Sequence, residues 1–193
     1  MRNHYELNIP FQITRDDIKL PDISSEGWPF KVIPAEEVLT SESLAWFTQL
    51  GVPIVSIQLF KGAPYESTRI HIDGRILEDG SVYIKHRWAI NIVLGADSST
   101  MRWYRPTDDK IREGIGPSGI KHPKYDLNDV EIVNQFEVGH KPFLCHIAVP
   151  HSVTNHTDKD RWCLSIRAKA EDVDMSWDDA CNLFKNYLDK DYE

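Results

Sequence analysis

The chain has 193 residues, 41% of them hydrophobic and 27% charged, with 22 Lys+Arg against 30 Asp+Glu for a formal charge of −8. That length supports one domain with a real core, and the acidic balance excludes a protein that binds nucleic acid or anionic membrane through net basic charge. No apolar run approaches the ~18 residues of a membrane span, and residues 1–20 hold no signal-peptide core, so the expected location is cytoplasmic. Three cysteines without CxxC spacing argue against both a disulfide framework and a thiolate zinc site.

In chain order, Pro10, Pro21, Pro29 and Pro34 interrupt the first forty residues. A helix is expected from about Ala35 to Leu50, with Glu36 and Glu37 in its first turn and a Gly51-Val52-Pro53 stop. The apolar period then changes to two, and Val55, Ile57 and Leu59 alternate as in a strand. Further strands are expected at Arg69–Ile76, Ser81–Leu94, Thr100–Arg105, Glu131–Val138, Phe143–Val149 and Arg161–Ala168. Residues 106–128, rich in Gly and Pro, read as a long functional loop placed to cover a site. GIGPSG at 114–119 has neither a strand before it nor a helix after it, which excludes a phosphate-binding loop. Ser176 to Leu188 reads as a capped amphipathic helix. Short strands between terminal helices point to a single all-β domain over 1–193, a sandwich or barrel with helices outside it.

Eight histidines justify a search for metal ligands. His71-Ile72-Asp73 puts an imidazole and a carboxylate on one face of a strand, since side chains at i and i+2 point the same way. A second histidine ligand from elsewhere would complete a two-histidine, one-carboxylate triad with three open positions. The motif alone is weak, because 8 His and 18 Asp produce about 0.7 such matches by chance. Indeed His156-Thr157-Asp158 is another, in a segment of turn composition. His71 and Asp73 alternate with Ile70 and Ile72, as on a strand turning its polar face to a cavity.

Phe143, Cys145, Ile147 and Val149 form an apolar face that His151 continues. Arg161, Cys163, Ser165 and Arg167 share one face of the last strand, opposite Trp162, Leu164 and Ile166. A cation on an inward face requires an anion to meet it, and a guanidinium fork suits a carboxylate. Asn91, between apolar neighbours, is placed to hydrogen-bond a cosubstrate or to serve the fold. His86 reads as a core histidine, and His146 has the opposite parity from His151. Arg69, Arg75 and Arg87 line either a cavity mouth or a solvated strand face.

The spacing His151-x3-Asn155-x5-Arg161-x2-Leu164 resembles the distal motif of aspartyl/asparaginyl β-hydroxylase-like proteins, within the Fe(II)/2-oxoglutarate-dependent dioxygenases. The resemblance covers roughly residues 54–168 and includes His71-x-Asp73 at the family's early HxD position. It implies a double-stranded β-helix (a jelly roll of cupin type), with Fe(II) on His71, Asp73 and His151. It also implies 2-oxoglutarate bound through Arg161, with Arg167 a competing carboxylate binder, and molecular oxygen as co-reactant. The implied activity is hydroxylation of an unactivated C–H bond in an amino-acid, peptidyl or other small-molecule substrate. Two departures stand out. Some β-hydroxylase-like members lack the HxD carboxylate that Asp73 supplies here, and Cys163 stands where other superfamily members place a serine after the arginine. The alternative is a cupin-like barrel that binds a metal or ligand without turnover; a zinc hydrolase lacks a clear general base.

Overall fold

A computed structural model describes residues 2–23, 30–108, 111–115, 119–168 and 175–189. Its strands, in chain order, are β1 (His4–Glu6), β2 (Phe30–Pro34), β3 (Ser56–Gly62), β4 (Ile70–His71), β5 (Arg75–Ile76), β6 (Val82–Tyr83), β7 (Trp88–Leu94), β8 (Ser99–Pro106), β9 (Arg112–Ile115), β10 (Lys121–Tyr125), β11 (Val130–Val138), β12 (Phe143–His146), β13 (His151–Asn155) and β14 (Arg161–Ile166). Two helices accompany them, α1 (Ser41–Gln49) and α2 (Trp177–Phe184). The strands build two six-stranded antiparallel sheets, ordered β1-β12-β7-β14-β3-β2 and β11-β8-β13-β4-β10-β9, with β5 and β6 as a separate hairpin. This is the expected all-β jelly-roll sandwich with helices outside.

Strand parity explains the layering. In β7, Trp88, Ile90 and Ile92 pack outward with Trp46, Phe47, Trp177 and Phe184, so both helices cover the back of the first sheet. Ala89 and Val93 turn the other way and join Trp103, Phe136, Phe143, Cys145 and Ile147 between the sheets. A strand buried on both faces needs apolar residues at both parities, which is why WAINIVL reads as a continuous run rather than an alternation. Asn91 is its one polar member. α2 therefore caps the sandwich through Trp177, Ala180 and Phe184. A third cluster of Ile70, Ile72, Tyr104, Tyr125 and Val130 includes the alternate residues of the β4 segment.

Several boundaries differ from the sequence reading. The helix expected over 35–50 is a 3-10 turn at Ala35–Glu37 and then α1. Val38 and Thr40 instead bond to Arg15 and Ile13, and Thr40 Oγ1 accepts the Ser43 N–H at 3.1 Å to cap α1. The C-terminal helix, expected to Leu188, ends at Phe184, and Leu188 bridges Leu7. The single strand expected at Arg69–Ile76 breaks after His71, where the Gly74 N–H bonds back to the Ile72 carbonyl at 2.8 Å around Asp73. Gly74 is required there, because a Cβ would stand 2.9 Å from the Tyr83 carbonyl oxygen.

The expected 106–128 loop is largely a β9–β10 hairpin, tied across by Arg112 to Asp126 and Asp129 and by Lys121 to Glu113. Residues 116–118 of the GIGPSG segment lie outside the described residues. Among the described residues, no helix is long and apolar enough to cross a membrane.

Two histidines are built into the packing as neutral rings. His4 stacks on Trp103 and Phe136, and His146 lies parallel to Trp177 at 5.0 Å. Burial, with nearby arginine charge, lowers each to about 4. The unfolded chain, with ordinary histidines near 6.5, then binds more protons than the folded one between those values. Stability is therefore fully present above about pH 6.5 and falls as pH drops toward 4. Urea midpoints at pH 7.5 and pH 5 should show this loss, and it should be smaller in His146→Phe; an equal loss in the variant would exclude His146 from the effect.

Candidate metal centre

The antiparallel register of β4 and β13 sets His71 opposite His151 in the second sheet. The sequence reading placed His151 at the end of the Phe143 strand. The chain in fact leaves the first sheet after His146 and enters the second at His151, so the two inward faces belong to different sheets. The imidazoles end with ring centroids 4.5 Å apart, both buried. Each Nδ1–H donates to the carbonyl two residues earlier, His71 to Arg69 at 2.8 Å and His151 to Val149 at 2.9 Å. That bond turns the Nε2 edge of each ring toward the cavity.

The turn at Gly74 brings Asp73 to those two nitrogens, with Oδ1 3.2 Å from His71 Nε2 and 3.9 Å from His151 Nε2. All three ligand atoms lie within 4.8 Å of one another. Burial pushes the Asp73 carboxyl up, but the Arg167 guanidinium, the His71 hydrogen bond and both imidazoles together hold it well below the usual carboxylate range. Burial, then the neighbouring His71, lowers His151 to about 4. At neutral pH an ionised carboxylate thus faces an uncharged imidazole with no proton between them. A divalent cation resolves this conflict, and two histidines with one carboxylate are the donor set of a facial triad. His71, Asp73 and His151 therefore fit a metal ion.

The other expected residues surround the same cavity between the sheets. Arg161 is buried, donates through Nε to Ser99 Oγ at 3.1 Å, and has no carboxylate partner among the described residues. Arg167 does have one. Its Nη2 meets Asp73 Oδ2 at 2.6 Å, its Nε donates to Ser165 Oγ at 3.2 Å, and its guanidinium carbon sits 5.8 Å from the centre of the Phe60 ring. Asn91 Nδ2 donates to Cys145 Sγ at 3.3 Å while Cys145 donates to the Ala89 carbonyl, which leaves Asn91 Oδ1 buried without a partner. Such an acceptor in a cavity wall is suited to a donor on a bound molecule.

Asn155 explains part of the motif spacing. Its Nδ2 donates to the Ala63 and Lys159 carbonyls at 3.0 and 2.7 Å, and its Oδ1 accepts from the Thr157 N–H and hydroxyl. It folds the 155–160 turn that delivers Arg161 into the cavity, and it serves the backbone rather than a ligand.

The competing His156-x-Asp158 pair is not assembled into a site, since His156 Nε2 bonds Thr100 Oγ1 at 2.6 Å. Arg75 lies over the exposed Tyr83 ring in the β5–β6 hairpin. His86, read as a core histidine, is only half-buried. Burial and the charge of Arg167 lower it to about 4, which makes it a neutral imidazole beside the triad. Ser99 and Phe60 were not singled out, and Ser165 was placed on the Arg161 face without a role. A small hydroxyl or a strand phenylalanine has no distinguishing signal until the register sets it against a guanidinium.

No protein-family model matches the chain, and no curated protein matches it. Among solved structures, a Pseudomonas putida prolyl-4-hydroxylase aligns at 13% identity over 75% of each chain with a TM-score of 0.38. Escherichia coli ycfD aligns at 9% identity over 86% of this chain and 42% of its own, with a TM-score of 0.39. Peruvianin-I, a cysteine peptidase from Thevetia peruviana latex, aligns at 12% identity over 87% and 90% of the two chains, with a TM-score of 0.35. At TM-scores below 0.5 these likenesses carry no argument, and the strand order and side-chain geometry stand on their own.

Removing one ligand tests the triad. His71→Ala and Asp73→Ala should each weaken binding of Mn(II) or Fe(II), read by anaerobic calorimetry, by more than about 100-fold. A variant that binds as tightly as the parent would remove that residue from the site.

Proposed function

We propose that this chain is an Fe(II)- and 2-oxoglutarate-dependent oxygenase that hydroxylates an unactivated C–H bond. The observation that carries the proposal is the pairing, in one cavity, of the His71–Asp73–His151 triad with the buried guanidinium of Arg161, which has no carboxylate partner among the described residues. A desolvated cation without an anion is unfavourable, so a cavity containing one is built for an anionic ligand. A barrel that only stored a metal would have no use for Arg161.

The separation suits a diacid cosubstrate. Ser99, which holds Arg161, is paired with Asn155, four residues along β13 from His151. That is about 13 Å of strand, a distance that a five-carbon diacid at the metal and an extended arginine side chain span together. Arg161 is the better cosubstrate clamp of the two arginines because Arg167 already holds Asp73. Fe(II) and 2-oxoglutarate, when bound, supply the oxidising chemistry, in which O2 decarboxylates the oxo acid to succinate and CO2 and one oxygen atom enters the substrate.

The chain's own residues supply the surroundings. Ser99 orients the Arg161 guanidinium, and the 155–160 turn supports it from the backbone. Met101, Ile147 and Val153 make the cavity wall apolar around the span of the cosubstrate, which keeps water from competing for the open positions. Asn91 offers its unpartnered Oδ1 to a donor on cosubstrate or substrate. The resemblance of the distal motif favours an amino-acid or peptidyl substrate.

Anaerobic addition of Fe(II) and 2-oxoglutarate should produce the visible charge-transfer band of the chelate. Arg161→Ala should weaken 2-oxoglutarate binding by about 2–5 kcal/mol, the cost of truncating one partner of a buried charge pair, while leaving Fe(II) affinity unchanged. Metal binding without a band would favour the non-catalytic metal-binding barrel. A band that is unchanged in Arg161→Ala would remove the cosubstrate assignment.

A further inference from the structure

The two oxygens of Asp73 have different neighbours. Oδ1 faces the Nε2 atoms of His71 and His151 at 3.2 and 3.9 Å, whereas Oδ2 faces Arg167 Nη2 at 2.6 Å. Arg167 is itself held in place. Its Nε donates to Ser165 Oγ, and Ser165 is 1% exposed, inside the first sheet. Phe60, on the neighbouring strand β3, lies beside the guanidinium. The Arg167 and Asp73 side chains are 11% and 17% exposed, so water competes little for the contact.

From this arrangement we infer that Arg167 is a positioning residue that restricts Asp73 to one-oxygen metal ligation through Oδ1. A carboxylate has two nearly equivalent oxygens, and a free one can take a divalent ion through either or through both. A charge-assisted hydrogen bond at 2.6 Å on Oδ2 removes that choice, because turning Oδ2 toward the ion breaks the bond and leaves a buried guanidinium unpaired. The consequence is a count of sites. With Asp73 giving one oxygen, the triad leaves three adjacent positions for other ligands; with Asp73 giving both, it leaves two. The inference rests on the metal reading of the triad. It adds a reason why the last strand carries two inward arginines, one for a cosubstrate carboxylate and one for the protein's own.

Water proton relaxation with Mn(II) alone as the probe counts the open positions, because each exchangeable water on the ion adds to the relaxivity. In the parent protein the bound ion should carry three such waters. Arg167→Met keeps the bulk beside Phe60 and removes every donor, and its bound Mn(II) should show about two-thirds of the parent relaxivity, one water of three having been lost to Asp73. Arg167→Lys retains a cationic donor and should restore the parent value, a rescue that a purely packing role would not require.

Circular dichroism and the thermal transition establish that each variant is folded. If Arg167→Met is not, Ser165→Ala, which frees only Nε, is read in its place and should give an intermediate relaxivity. Parent-like relaxivity in a folded Arg167→Met, or in Ser165→Ala where that stands in, overturns the inference. A parent protein that binds no Mn(II) overturns it together with the metal site. Three waters in the parent, two in Arg167→Met and no response of either to 2-oxoglutarate would sustain the inference while the oxygenase reading falls.

Discussion

The Nε2 atoms of His71 and His151 converge on the ionised carboxylate of Asp73 in a cavity between the two sheets. Much of the surrounding structure serves to hold this arrangement. The backbone carbonyls of Arg69 and Val149 each accept from Nδ1 of one ring and fix its orientation. The Arg167 guanidinium and the imidazoles outweigh burial and keep Asp73 ionised. The opposition of His71 to His151 is a matter of β4–β13 register, and a one-residue slip would send one ring to the opposite face of the sheet. A preorganised set of donors of this kind binds an ion without first having to be assembled.

The register depends in turn on how the two sheets are packed. β7 is buried on both faces, against the helices on one side and the second sheet on the other, and it pairs with β12 and β14. β12 leads to the crossing that begins β13 with His151, and β14 carries Arg161 and runs on to Arg167. The helices thus contribute to the site indirectly, by covering the outer face of the strands that present its inner residues.

Charge placement follows a different rule inside the cavity from the one outside. The chain has an excess of acids, and on its surface Arg15, Arg105, Arg112, Lys121, Lys141 and Lys159 each meet a carboxylate. Exposed pairs of this kind contribute little to stability. Inside, Arg167 has an acid, while Arg161 meets the neutral Ser99 and Cys163 side chains and no carboxylate among the described residues. In a protein with acids to spare, a buried cation left without one marks a place where the anion comes from elsewhere.

The sequence by itself determined the class of fold, the strand parities and several of the polar residues that line the cavity. Period-two alternation and apolar runs at both parities follow from local geometry, so Arg161, Cys163, Ser165 and Arg167 were legible as one face, and His71 and Asp73 as a pair. What only the tertiary structure decided is which of those residues face one another. The break after His71 depends on Gly74 lying against the Tyr83 carbonyl, the crossing between sheets before His151 depends on where β12 stops pairing, and the 106–128 segment became a hairpin through a β9–β10 pairing that composition does not reveal. The division of labour between the two arginines was equally hidden. On the strand they are equivalent, six residues apart on one face, and only the position of Asp73, fixed by a turn some ninety residues earlier in the chain, makes Arg167 its partner and leaves Arg161 to a ligand.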